Sequence, residues 1–171
     1  MVKLRKAVAY RSTERPYTRK SKFRKKSFIR ATPQNKVVMY DMGNRTQSFD
    51  THAKLISKEQ IQIRHNALES SRLTSNRHLE KILGKTMYHL KINVYPHHIL
   101  RENPLAAGAG ADRMSTGMKM SFGKPIGLAA QIKKGQTLLS VNVNKENIEV
   151  ARQALKKAAH KLPCSCLVII K

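Results

Sequence analysis

The stretch MYHLKINVYP, residues 87–96, has the cleanest period in the chain: Tyr88, Leu90, Ile92 and Val94 alternate with Met87, His89, Lys91, Asn93 and Tyr95. A period of two sends successive side chains to opposite faces of a pleated ribbon, so these residues form a half-buried strand, which Pro96 ends by withholding an N–H. Upstream, Val37-Val38-Met39-Tyr40 reads as a short strand closed by the turn signal Gly43-Asn44. Phe49, Thr51, Ala53 and Leu55 are spaced to face a core from a second strand. Ser57 with Gln60 three residues on has capping-box spacing, which starts a helix near Lys58. Ile61, His65, Leu68, Arg72, Ser75, Leu79 and Ile82 then share one stripe until Gly84 supplies a C-terminal cap. Ser70, Ser71, Thr74 and Ser75 are mediocre helix formers, so the pattern admits a kink there.

Downstream, apolar runs at 126–132 and 137–143 flank Lys133-Lys134-Gly135-Gln136 and read as a hairpin. Asn144 is placed to cap a helix whose apolar face is Ile148, Ala151, Leu155, Ala158 and Leu162, until Pro163 stops it. Residues 166–170 give a last strand. Strands interrupted by two main helices, with no regular strand-helix repeat, define an α+β class: a compact two-layer sandwich of a mostly antiparallel sheet.

The 171 residues divide into an arm, 1–36, and a single domain, 37–171, with a loop inserted at 101–125. The arm holds thirteen Lys or Arg against Glu14 alone, a net +12 of the chain's +24. Its cations Arg5, Arg11, Arg15, Arg19, Lys20, Lys22, Arg24, Lys25, Lys26 and Arg30 interleave with Tyr10, Tyr17, Phe23 and Phe28, without apolar periodicity. Self-repulsion keeps such a segment extended until a polyanion neutralises it, and it has little to bury, so the domain is expected to fold without it. Planar guanidinium groups suit phosphate and aromatic rings stack on unpaired bases, a combination more typical of RNA binding than of duplex DNA. Arg64, Arg72 and Arg77 on the first helix join the arm as candidate RNA ligands. A solvated tail or localisation patch is the plainer alternative.

Other classes fit poorly. No stretch reaches the 18 or so apolar residues of a spanning helix, the arm is not amphipathic, and its basic start is not followed by an apolar signal region, so a cytosolic protein is expected. His97 and His98 are adjacent and point to opposite faces of an extended segment, and no HExxH or GxSxG pattern occurs, so neither catalysis nor a small-molecule substrate is expected. Cys164 and Cys166, if both on a strand, have Cα atoms roughly 6.6 Å apart, near the outer limit for a disulfide. A zinc site would need two further ligands where only His160 is near, so no metal or other cofactor is expected, and the pair reads as two small buried thiols.

The loop, RENPLAAGAGADRMSTGMKMSFGKP at residues 101–125, is long enough to need a function in a compact domain. Its glycines never give the GxxxxGK[ST] of an NTPase phosphate cradle. A mobile surface loop and an RNA-facing finger both remain, the latter because small residues permit close approach while Arg101, Arg113, Lys119 and Lys124 supply charge and Met114, Met118 and Met120 adaptable apolar contact.

The segment 91–125, with Pro96, Asn103-Pro104-Leu105-Ala106 and GAGADRMSTGM, together with RHNALESSRLTSNRHLEKILG and ARQALKKAAHKLP, resembles the large-subunit ribosomal protein family called L-ten-e in archaea and L-sixteen in bacteria. The resemblance covers nearly the whole chain. It implies a structural protein of the ribosome in the cytoplasm, packed on large-subunit rRNA at the base of the central protuberance beside the aminoacyl-tRNA path. Its implied partners are rRNA, tRNA and other large-subunit ribosomal proteins. It further implies that Arg101, Asn103, Gly108, Gly110, Arg113, Met114, Ser115, Gly117, Met118 and Lys119 face tRNA and the peptidyl-transferase centre. Eukaryotic relatives carry a C-terminal extension, so a chain ending at Lys171 is expected to be archaeal. The rival from another class is a free nucleic-acid binder of chromatin or tRNA-binding type, which would explain the charge but not the loop.

Overall fold

The computed structural model describes residues 5–18, 21–29, 31–102 and 123–171. Among these the main elements run β1 (Asp41–Gly43), β2 (Thr51–Ser57), β3 (Ile61–Arg64), α1 (His65–Leu83), β4 (Tyr88–Ile92), β5 (His98–Glu102), β6 (Lys124–Ile132), β7 (Thr137–Val143), α2 (Ile148–Ala159) and β8 (Cys166–Ile170). The strands form two antiparallel sheets, one in the order β1-β4-β7-β2-β8 and one in the order β3-β6-β5. The α+β class holds, with two sheets where the sequence suggested one.

The large sheet is apolar on one face only. Ala53 pairs with Val141 and Leu55 with Leu139, while Leu90 meets Val141 from the other side, and all five are fully buried. The opposite face carries His52, Lys54, His89, Lys91 and Asn142 and stays largely open, the arrangement an antiparallel sheet permits. α1 and α2 pack together against the core, with small buried residues on both: Ser71 and Ser75 on α1, Ala151, Ala154 and Ala158 on α2. The serines that weaken α1 on propensity do not break it. Ser71 Oγ donates to the Leu68 carbonyl at 2.7 Å and Ser75 Oγ to that of Ser71 at 2.9 Å, so burial leaves neither hydroxyl unsatisfied and the helix runs unbroken for 19 residues.

Four element assignments change. The segment at Val37–Tyr40 is not a strand: the Val37 and Val38 amides donate to the side chains of Asn35 and Glu69, and ladder pairing begins only at Asp41. α1 begins at His65, not near Lys58, because Ser57 Oγ closes the turn between β2 and β3 on Glu59 while Ile61–Arg64 pairs with β6. β5 occupies residues that show no period. β6 and β7 are not a hairpin: each is the central strand of its own sheet with both neighbours already in place, so Lys133–Gln136 is a bridge between sheets.

Two glycines sit at positive φ for different reasons. Gly84, at φ 73°, ends α1 and gives its amide to the Glu80 carbonyl, with open space where a Cβ would be. Gly43, at φ 84°, lies against β4, and a Cβ there would stand 2.2 Å from the Tyr88 carbonyl oxygen. Gly84→Ala should therefore cost only backbone strain, about 1–3 kcal/mol. Gly43→Ala should cost that plus the displacement of β1 from β4. Denaturant midpoints of the two variants measure the difference, and equal losses would show that β1 yields freely.

Candidate nucleic-acid interface

Three strands make a sheet with two faces and one core. Ile61, Ile63, Ala130 and Ile132 turn toward the common core. The other face, with Gln62, Arg64, His98, Ala129 and Gln131, is roofed by the arm. The Gln62 amide, on the free edge of β3, donates to the Arg11 carbonyl at 3.2 Å. Gln131 Nε2, on the central β6, reaches the Glu14 carbonyl at 2.7 Å, and the Ile99 amide, on the free edge of β5, reaches that of Tyr17 at 3.3 Å. Crossing a three-stranded sheet from beyond one edge to beyond the other is four strand spacings, about 19 Å, and six extended residues reach about 20 Å. Residues 11–17 make that crossing with bends at Ser12 and Arg15, one anchor per strand. Arg64 Nη1 also donates to the Arg5 carbonyl at 3.0 Å and Gln62 Nε2 to that of Tyr10 at 3.1 Å. The arm's first half is accordingly part of the fold, where the sequence suggested a segment with little to bury.

Two histidines receive the arm as well. His98 Nδ1 accepts the Tyr17 amide at 2.7 Å, and His65 Nδ1 accepts that of Lys36 at 3.4 Å. Both rings are held below the ordinary histidine pKa, first by burial; Lys36 and Arg64 push His65 further down, while around His98 Glu14 opposes and Arg101 reinforces.

The arm also grips the root of the inserted loop. β5 and β6 pair out to Glu102 and Lys124, so the loop leaves from the end of a ladder. At that end Arg5 Nε meets Glu102 Oε1 at 2.6 Å, and the Arg101 guanidinium lies 4.1 Å from the Tyr17 ring centroid. Tyr17, expected to stack on bases, has the Arg101 guanidinium over its ring and donates its hydroxyl to the Phe28 carbonyl.

The remaining candidates fall into distinct environments. Arg11, Arg15, Lys22, Arg24, Lys25 and Lys26 are exposed, the last three on a single 3-10 turn beside Phe23, which is 69% exposed and has Lys26 Nζ 5.5 Å above its ring. Arg77 is exposed on α1, in a shallow groove with Lys81, Lys157 and His78, where Lys157 Nζ donates to His78 Nδ1 at 2.8 Å. Arg64 is half-buried over Tyr10. Arg72 is buried: it binds both carboxylate oxygens of Glu69, at 2.6 and 2.9 Å, and these hydrogen bonds hold the Glu69 carboxyl below the usual carboxylate range. Its guanidinium therefore serves the interior. Arg19, Lys20, Arg30 and Asn103, Gly108, Gly110, Arg113, Met114, Ser115, Gly117, Met118 and Lys119 lie outside the described residues.

One feature carried no signal in the sequence. Tyr40 and Tyr95 stack with ring centroids 5.4 Å apart, His97 lies 4.7 Å beyond Tyr95, and Tyr95 is 48% exposed. The rings come from a coil before β1 and a coil after β4, joined only by the fold. Among the described residues no group of three or more His, Cys, Asp or Glu is placed to hold a metal, and no helix is long and apolar enough to cross a membrane.

Comparison with known proteins agrees with this charge distribution. The family described as Ribosomal protein L16p/L10e matches residues 15–169. The chain is 51% identical over 168 residues, 98% of its length and 94% of the relative's, to the large ribosomal subunit protein uL16 of Methanococcus maripaludis strain C7. It is 43% identical over 165 residues to the protein of that name from Archaeoglobus fulgidus, covering 96% of this chain and 91% of the relative. With the one from Staphylothermus marinus it shares 46% over 156 residues, 91% and 86% of the respective lengths.

The His98 anchor makes arm attachment depend on pH. A histidine whose folded pKa is depressed binds fewer protons folded than unfolded, so its contribution is complete above about 6.5 and is lost as pH falls from there toward the folded value. Amide exchange at Tyr17 and Ile99, corrected for intrinsic chemistry, should speed up as pH drops from 7.5 to 5.5. His98→Asn, whose Oδ1 can replace Nδ1 as acceptor, should flatten that response; an unchanged slope would assign it to other groups.

Proposed function

This chain belongs to the Ribosomal protein L16p/L10e family, and on that premise we propose that it is a structural constituent of the large ribosomal subunit that docks on rRNA and helps position tRNA. The observation that carries the reading is charge the protein cannot balance alone. Thirty-four Lys and Arg stand against ten carboxylate side chains. Some of those carboxylates are already taken by Arg5, Arg72, Lys85 and Arg152. A phosphate backbone is the counterion of matching density.

Arm and domain have separate parts. The exposed cations at Arg11, Arg15 and Lys22 to Lys26, with Arg77 and the basic groove on α1, neutralise phosphates without regard to sequence. The folded domain supplies shape, and the exposed rings of Phe23 and Tyr95 are platforms for unpaired bases, the usual route to specificity in RNA. Arg72 is not part of this interface. The loop 101–120, rooted on the β5–β6 ladder, is the element directed at tRNA and the peptidyl-transferase centre. Partners are rRNA, tRNA and neighbouring large-subunit proteins, and the site of action is the ribosome in the cytoplasm.

In a sucrose gradient of cell lysate at high salt, the protein should remain stoichiometric in the large-subunit and translating peaks; material spread through the free fractions would instead mean a nonspecific polyanion binder. If six to ten arm charges sit on phosphates, log K for RNA should fall with log salt at a slope of roughly −4 to −9, and a shallow slope would remove the arm from the interface. Deleting residues 103–119 should spare assembly and impair tRNA accommodation or peptide transfer. Failed assembly, with normal tRNA handling by the few complete particles, would reverse that assignment.

A further inference from the structure

We propose that Cys164 and Cys166 are a redox-active dithiol, a modification site that a hydroperoxide closes into an intrachain disulfide. A strand would hold the two residues too far apart for easy bridging, but only Cys166 is on one, as the first residue of β8; Cys164 lies in the bend that follows α2 and Pro163. The bend brings the sulfurs within 3.6 Å, in hydrogen-bond contact, and Cys166 Sγ also lies 3.5 Å from the Cys164 carbonyl. Both residues are half-exposed at the rim of the core, so a small oxidant has access. The segment is held on both sides: Ser57 pairs with Cys166 in the β2–β8 ladder, and the Lys58 amide donates to the Ser165 carbonyl at 2.9 Å.

The two thiols are unequal. Hydrogen bonding from Cys166 holds the Cys164 thiol down to about 7, with a smaller contribution from Ser57, while donating that proton pushes Cys166 up. Cys164 is the nucleophile and Cys166 the resolving thiol. Their chemistry balances in two steps. The Cys164 thiolate attacks one peroxide oxygen, the O–O bond breaks, and the hydroxide or alkoxide leaves and takes up a proton, giving a sulfenic acid. Cys166 sulfur then attacks the Cys164 sulfur, the S–O bond breaks, and the departing hydroxide takes the Cys166 proton as water. Two thiols lose one electron each and one hydroperoxide is reduced. A metal is the poorer occupant, since no third ligand joins the pair among the described residues.

Purified full-length protein and intact large subunits, treated with hydrogen peroxide and digested without reductant, should both yield a peptide spanning residues 164–166 that has lost two hydrogen atoms, restored by dithiothreitol. The rate should rise with pH through about 7. Cys166→Ser should stop at the sulfenic acid, trapped by dimedone, and Cys164→Ser should react far more slowly. Oxygen addition without a bridge, a disulfide-linked dimer of chains, or untouched thiols in the unmutated protein while a control thiol oxidises would each overturn the proposal.

Discussion

Residues 11–17 cross the three-stranded sheet with one anchor per strand, and much of the molecule depends on that crossing. One face of the three-stranded sheet packs on the common core; the other carries Gln62, His98 and Gln131. The arm covers it, and does so through main-chain carbonyls: those of Arg5, Tyr10, Arg11, Glu14 and Tyr17 all accept from the domain. Anchoring by carbonyls makes little demand on side-chain identity. The cations of Arg11 and Arg15 are therefore left outside, where their mutual repulsion is least and a phosphate can reach them. One segment gives its backbone to the fold and leaves these two guanidinium groups in solvent.

The elements legible in the sequence were those with one wet face. β2, β4 and α2 each pack one side on the core and leave the other in water, so their polar and apolar residues sort by period. β3 and β5 were hidden for the converse reason. In β3 Ile61, Gln62 and Ile63 are all buried, and in β5 His98, Ile99 and Leu100 are, because the arm closes the side that would otherwise be wet. A long-range cover erases the local signal. The false hairpin has the same root: Gly135 and its lysines make a genuine turn, but strand pairing is decided by which neighbours are already present, and both strands were fully partnered.

The candidate surface reads from the sequence as charge and not as geometry. Composition alone indicates a polyanionic partner, yet it does not separate Arg77, exposed on α1, from Arg72 earlier on the same helix, which is buried against Glu69. Both are arginines on one helix five residues apart, and only the fold decides which faces water. The ring stack of Tyr40, Tyr95 and His97 was invisible because its members meet only once β1 lies beside β4. For the thiols, a two-residue spacing says little until it is known whether both positions are on a strand, and only Cys166 is.

The anchors at Gln62 and Ile99 occupy the outer edges of β3 and β5. An exposed edge is an open row of donors and acceptors, ready to recruit a strand from another molecule. Residues 11–17 meet both of these edges, taking the Gln62 amide on one and the Ile99 amide on the other. The arm thus occupies donors on both sheet edges that a strand from another molecule would otherwise meet.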